Sequence, residues 1–188
     1  MVVKPMFGPE RMSKDELHKA IAYANKYIHV LMMEDEQMCL DDILLKLRLC
    51  KDKFGLNCAI IDPYNEIEHD QRMGESETNY VSRFLSRLRN FGRKHEIAIF
   101  LIAHPTKLQK NENGEYPVPT PYDISGSSNF RNKADNCIAL WRSMTERNRT
   151  NELEVHIQKI RNKNIGQLGT TNFVWDYKTG IFKPSDNF

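Results

Sequence analysis

Two continuous apolar runs, each ending abruptly in a polar residue, restrict this chain more than any other feature. Cys58-Ala-Ile-Ile61 stops at Asp62, and Ile97 to Ala103 stops at His104. Neither run alternates, so each is expected to be a strand buried on both faces, as in a parallel sheet. Between them, residues 75–95 read as one long helix with Tyr80, Phe84, Leu85, Leu88 and Phe91 turned inward. Helix–strand units of this kind predict an α/β fold with a mostly parallel sheet. Ligands of such sheets bind at the carboxyl ends of strands. Asp62 and His104 both stand there.

The flanking segments fit that frame. Ser13-Lys-Asp-Glu16 forms a capping-box pattern that opens a helix reaching about Ile28, with Leu17, Ala20, Ile21, Ala24 and Ile28 on one face. His29 to Met33 suits a short strand. A second helix runs from Asp41-Asp42 to Phe54 and stops at Gly55, with Ile43, Leu44, Leu47 and Cys50 as its stripe. A short helix is expected over 127–134 and a strand over 136–141. The tail differs, because residues 152–161 and 170–177 alternate. They predict a half-buried antiparallel hairpin at one edge of the sheet. Within it Phe173, Trp175 and Tyr177 suit a core better than base stacking.

Composition narrows the function classes. The chain has 188 residues, 40% hydrophobic and 28% charged, which suits one domain with a sizeable core. Formal net charge is only +2, so an anionic partner needs a local cationic patch. Cys39, Cys50, Cys58 and Cys137 form no CxxC pair. Cys50, Cys58 and Cys137 lie in apolar or helical contexts, which suits buried free thiols and a reducing, cytoplasmic compartment. There is no apolar run of about 18 residues, as a membrane helix would need, and no signal peptide at the N-terminus.

Chemistry concentrates at the strand ends. An aspartate closing an apolar strand is the context of a Walker B carboxylate, which supports Mg²⁺ on a nucleotide phosphate. A loop-capping aspartate fits the same pattern. After His104 comes "PTKLQKNENGEYPVPTPYDISGS", a long polar loop carrying Lys107 and Lys110. Four prolines punctuate the stretch from Pro105 to Pro121, and the lack of apolar anchors suggests mobility.

Four segments follow one another in order: "AIIDPYNEIEH", "LIAHPTK", "YDISGSSNFRNKADNCIALWR" and "VHIQKIRNKNIGQLGTTNFVWDYKTGIFKPS". Together they resemble the second half of the RecA-like motor of ring-shaped replicative DNA helicases. The phage primase–helicase and Twinkle types are nearer than bacterial DnaB. The resemblance spans roughly residues 5 to 184 and implies a role for each matching position. Asp62 matches the Walker B aspartate that supports Mg²⁺. His104 matches a sensor of the γ-phosphate, a place that is usually Gln in DnaB. Lys107 and Lys110 lie on the implied DNA-binding loop, and Asp123, Ser125 and Gly126 on the adjoining DNA-contacting segment. Arg142 matches an arginine sensor. Lys159 and Arg161 match the pair that reaches the neighbouring subunit's nucleotide, with Arg161 as the arginine finger. The implied parent uses ATP and Mg²⁺, binds single-stranded DNA and forms a homo-oligomeric ring, a hexamer, in a bacterial or phage-host cytoplasm.

The chain departs from that pattern in one respect. No GxxxxGK[ST] occurs in it, and Glu10 and Glu34 lie in the wrong contexts for the family's catalytic glutamate. The expectation is therefore one partial RecA-like domain over 1–188, without its phosphate-loop part. Alone, it binds no cofactor and hydrolyses no ATP. Two other readings compete. One is a non-catalytic DNA- or protein-binding module with a decayed motor fold. The other is a metal-dependent hydrolase using Asp62, His69, Asp70 and His104. At single positions, Lys107 and Lys110 also suit a solvated turn, Lys159 and Arg161 outward strand charges, and Arg142 a pair with Glu146.

Overall fold

The computed structural model describes residues 11–31, 38–112, 114–125, 128–145, 148–149 and 151–185. Its first helix, α1 (Lys14–Tyr27), starts with the expected capping box: Glu16 N donates to Ser13 Oγ and Ser13 N to the Glu16 carboxylate. None of its residues is buried, so the Leu17–Ile21 stripe is left about half exposed. The strand expected at His29 to Met33 does not form over His29–Leu31, and residues 32 and 33 lie outside the described ones. There the His29 ring stacks on Phe54, 3.9 Å between centroids. The second helix, α2 (Leu40–Phe54), ends where Gly55 adopts φ 70, a conformation glycine reaches without steric cost.

Strand β1 (Cys58–Ile61) pairs in parallel with β2 (Ala98–Leu101), Ile61 opposite Leu101. The crossover between them is α3 (Glu77–His95), with Tyr80, Val81 and Phe84 fully buried. Leu40, Ile43 and Leu47 of α2 join these residues, Ala59 and Tyr64 in one core. Burial of such side chains, worth about 1.5–3 kcal/mol each, holds the layer together. Gly92 lets α3 approach β2 closely, since a Cβ there would lie 2.9 Å from the Ile97 carbonyl oxygen.

The apolar runs are not buried on both faces. Ile60 is 67% exposed and Phe100 55%, because α2 and α3 gather on the opposite face. Apolar continuity marks a face that can be covered, and among the described residues only one is. Cys58 shares this exposure, so the expectation of a buried thiol fails there. All four cysteines are free.

The remainder is an antiparallel layer. After α4 (Ser128–Lys133) come β3 (Asn136–Trp141), the short pair β4 (Met144–Thr145) and β5 (Asn148–Arg149), then β6 (Glu152–Ile160), β7 (Gly169–Asp176) and β8 (Ile181–Pro184). Strand order is β3-β6-β7-β8. The expected hairpin is thus part of a four-stranded sheet, and one strand pair among the described residues is parallel. Trp175 packs on Phe182, 4.8 Å between centroids, whereas Tyr177 lies beyond β7 and is exposed. The register slips at Gln158, since Cys137 faces Lys159 while Ile138 faces Ile157. This β-bulge breaks the period of two and re-aims the end of β6. No helix among the described residues is long and apolar enough to cross a membrane.

The loop between β1 and α3 is locked by Glu75. Its carboxylate takes Nε and Nη2 of Arg83, at 3.0 and 2.8 Å, and the Arg72 amide. The Arg83 hydrogen bonds, foremost, hold its carboxyl at about 2, against an ordinary 4.5. A depressed folded value stabilises the fold above pH 4.5, and the contribution is lost as pH falls toward 2. Glu75→Gln is therefore expected to lower the denaturation midpoint at pH 7, and the gap from wild type should close by pH 2. A gap unchanged across that range would exclude this lock.

Candidate functional site

Parallel pairing brings the carboxyl ends of β1 and β2 side by side, and backbone bonds continue past both ends. Ile102 N donates to Ile61 O at 2.9 Å, and Tyr64 N to Ile102 O at 2.7 Å. His104 N then donates to Asn65 Oδ1 at 2.9 Å. Asp62 and His104 therefore leave adjacent strand tips on segments stitched together, and both are exposed. The Asp62 carboxylate has no hydrogen-bond or ion-pair partner among the described residues. An exposed carboxylate without a partner can help hold a hydrated dication, and an exposed imidazole N–H can donate to an anion. Beneath them Tyr64 is wedged between Phe84 and Phe130, with centroids 5.3 and 5.1 Å away. Burial, reinforced by the charge of Glu77, pushes its phenol up to about 12. The tips thus stand on a rigid aromatic base.

The loop after His104 returns to its own start. The amide and hydroxyl of Thr106 both donate to the Asp123 carbonyl, at 2.7 and 2.8 Å. The Asp123 carboxylate caps the turn by accepting from the Thr120 amide and hydroxyl. Further along, Trp141 Nε1 donates to Tyr116 O, Gln158 Nε2 to Pro119 O and Ser143 Oγ to Glu115. The loop, expected to be mobile for lack of apolar anchors, is held by polar ones against β3 and β6. Lys107 is exposed, and Lys110 Nζ sits 5.2 Å from the centre of the Tyr116 ring. Ser125 donates to Glu77 at the start of α3. Gly126 lies outside the described residues.

The other basic positions meet different surroundings. Lys159 Nζ donates to the carbonyls of Arg131, Asn132 and Ala134, at the C-terminal end of α4. Burial, followed by the charge of Arg161, lowers its pKa. Arg161 lies just past the bulged end of β6. Its Nε sits 2.7 Å from Asp135 Oδ1, and its side chain stays 42% exposed. Arg142 is exposed, with its guanidinium 6.0 Å from the Phe182 ring centre, and Glu146 lies outside the described residues. A cleft of about 490 Å³ beside β6 is lined by Arg131, Lys159, Lys163 and Leu168 among others.

Asp62, His69, Asp70 and His104 form no metal-ligating group among the described residues. The His69 ring packs on Tyr80, and Asp70 lies 3.8 Å from Arg83. Three residues with clear work here escape sequence reasoning: Asn65, Glu77 and Asp135. Asn65 bonds His104, Glu77 bonds Ser125 and Asp135 bonds Arg89, each roughly 40 or more positions away, so no local pattern marks these pairs.

A family model described as the DnaB-like helicase C terminal domain matches residues 6–184. The chain is 32% identical over 192 residues to the Twinkle homolog protein, chloroplastic/mitochondrial, of Arabidopsis thaliana. That match covers 98% of this chain and 27% of the relative's length. The fold superposes on a solved ATPase domain with a TM-score of 0.70 at 20% identity, over 93% of this chain and 61% of that one. A DnaB-like replicative helicase, solved to show its interactions with primase, gives 0.67 at 20% identity, over 93% and 42%.

The stitch between the tips is open to a local test. Asn65→Ala removes the acceptor of the His104 amide, so hydrogen exchange at His104 should quicken while the β1 amides keep their protection. An unchanged His104 rate would mean that Asn65 does not tie the two segments.

Proposed function

The chain belongs to the DnaB-like helicase C-terminal domain family, and we propose that it is the C-terminal part of a replicative DNA helicase motor. In that motor nucleotide hydrolysis drives unwinding. The observation that carries the reading is the pairing of β1 with β2, which sets Asp62 and His104 at neighbouring tips. The unpartnered, exposed Asp62 carboxylate fits a Mg²⁺-bound nucleotide. When bound, that group supplies the phosphoryl chemistry. Asp62 would support the ion through its waters, and His104 would donate to the terminal phosphate. Lys107 and Lys110 meet the backbone of single-stranded DNA, whose sequence such contacts do not read. Asp123 and Ser125 are tied within the chain, so in this reading they shape the DNA-facing segment beside Gly126. Arg142 serves as a further phosphate sensor. Lys159 and Arg161 belong to the edge that meets the next subunit of a ring.

The partial-domain reading has support of its own. Ile60 and Phe100 are exposed on the uncovered face of the β1–β2 pair, and Ile138 and Leu140 on β3 are exposed too. Among the described residues, β2 pairs only with β1 and β3 only with β6, so each keeps an open edge. Edges and apolar faces of this kind call for further polypeptide. The chain contains no phosphate loop, and polypeptide carrying one would complete the nucleotide site.

In the full-length protein, Arg161→Ala is expected to cut DNA-stimulated ATP hydrolysis by about 10³-fold or more, the scale of an arginine finger. Nucleotide binding should survive. Mixing with subunits that lack the phosphate-loop lysine should restore part of the rate, because each supplies what the other lacks. Normal turnover by Arg161→Ala would contradict the trans role. A full-length wild type without DNA-stimulated turnover would instead favour a non-catalytic binding module.

A further inference from the structure

Arg161 lies just past the end of β6, three residues beyond the bulge at Gln158, a place where no strand pairing fixes a long side chain. Yet its surroundings are highly ordered. Its amide donates to the Asp135 carbonyl at 2.8 Å. Its Nε lies 2.7 Å from the Asp135 carboxylate. Nη2 donates to the carbonyls of Asn132 and Ala134, at 3.1 and 3.2 Å. Nη1 has no partner among the described residues.

Asp135 is itself fixed. Arg89 on α3 grips it through Nη2 at 2.8 Å, and Nη2 of Arg93 lies 3.7 Å away. Three arginines around one carboxylate leave two positive charges in excess. Burial alone would raise the Asp135 pKa. The Arg89 hydrogen bond, with the charges of Arg89, Arg161 and Arg93, outweighs it and holds the carboxyl below its ordinary value. Lys159 completes the arrangement. Its ammonium donates to the carbonyls of Arg131, Asn132 and Ala134 at the end of α4, so it braces the surface on which Arg161 lies.

We propose that Asp135 is the positioning residue for Arg161, holding one edge of the guanidinium against the end of α4 so that the Nη1 edge projects from the chain. Lys159 serves the same holder by fixing the carbonyls. The proposal rests on the functional reading above only for what Nη1 meets, an anionic phosphate of a neighbouring subunit. Pre-orientation matters because a displacement of about 1 Å can cost a group like this 10²-fold.

Two measurements test it. In the 188-residue chain, the Arg161 Nη2 protons donate to the Asn132 and Ala134 carbonyls, so they should give a slowly exchanging NMR signal that Asp135→Asn abolishes. A fast-exchanging signal in the wild type would overturn the proposal whatever the protein does. In the full-length protein, Asp135→Asn should lower kcat about tenfold or more, by loss of orientation, with KM for ATP nearly unchanged. It should add little in an Arg161→Ala background. If Asp135→Asn does not fold, Asp135→Glu keeps the charge and shifts it by one methylene. It should lower kcat severalfold without changing the melting temperature. Wild-type kcat in the folded variant, or a raised one, would overturn positioning. Additive losses with Arg161→Ala would do the same. A wild type without turnover, but with the protected Nη2 protons, would sink the helicase reading and leave the holder standing.

Discussion

The parallel pairing of Cys58–Ile61 with Ala98–Leu101 is the constraint on which the rest depends. A parallel pair cannot be closed by a tight turn, so it demands a crossover, and α3 is that crossover. Once α3 is laid down, Tyr80, Phe84 and Leu88 bury against β1, β2 and α2. The same geometry forces both strands to end at one side of the layer. Asp62 and His104 meet there because of topology, although the whole crossover separates them in the chain. The backbone bonds from Tyr64 to Ile102 and from His104 to Asn65 convert that adjacency into a fixed relation.

Much of this was legible because it is written in local patterns. The Ser13–Glu16 box, the α2 stop at Gly55, the α3 stripe and the strand before Asp62 depend on spacing within a short stretch of chain. Burial of both strand faces was not legible. Apolar side chains at Ile60 and Phe100 say what would favour cover, and nothing in their spacing says whether the cover is present. The bulge in β6 was not legible for a related reason. The slip at Gln158 is a tertiary accommodation between β3 and β6, which the alternation of residues 152–161 does not reveal. The ties of the loop after His104 are not legible in its composition because they are polar: a Trp141 indole, a Gln158 amide and the two donors of Thr106.

The site residues divide in the same way. Positions carried by motif, such as Asp62, His104, Lys107 and Arg161, are exposed. Positions that hold them are defined by long-range contacts. Asp135 gathers Arg89 and Arg93 from α3 and Arg161 from just past β6, and Glu77 takes Ser125 from the loop before α4. Lys159, paired by resemblance with Arg161, is absorbed into the chain's own carbonyls. A charge two residues from another therefore need not share its surroundings: Arg161 lies against Asp135, whereas Lys159 is held by the carbonyls at the end of α4.

The central claim is that this chain supplies one side of a nucleotide site through β1 and β2 and the other side, through Arg161, to its neighbour. Chemical labelling tests that most directly. In the full-length protein, a subunit carrying Arg161→Cys in a background without other reactive cysteines, and lacking its own phosphate-loop lysine, would be exposed to an ATP analogue with a thiol-reactive γ-phosphate. The account requires labelling of that cysteine only when such subunits are mixed with neighbours that bind nucleotide. Labelling of the subunit on its own, or none in the mixture, would contradict it.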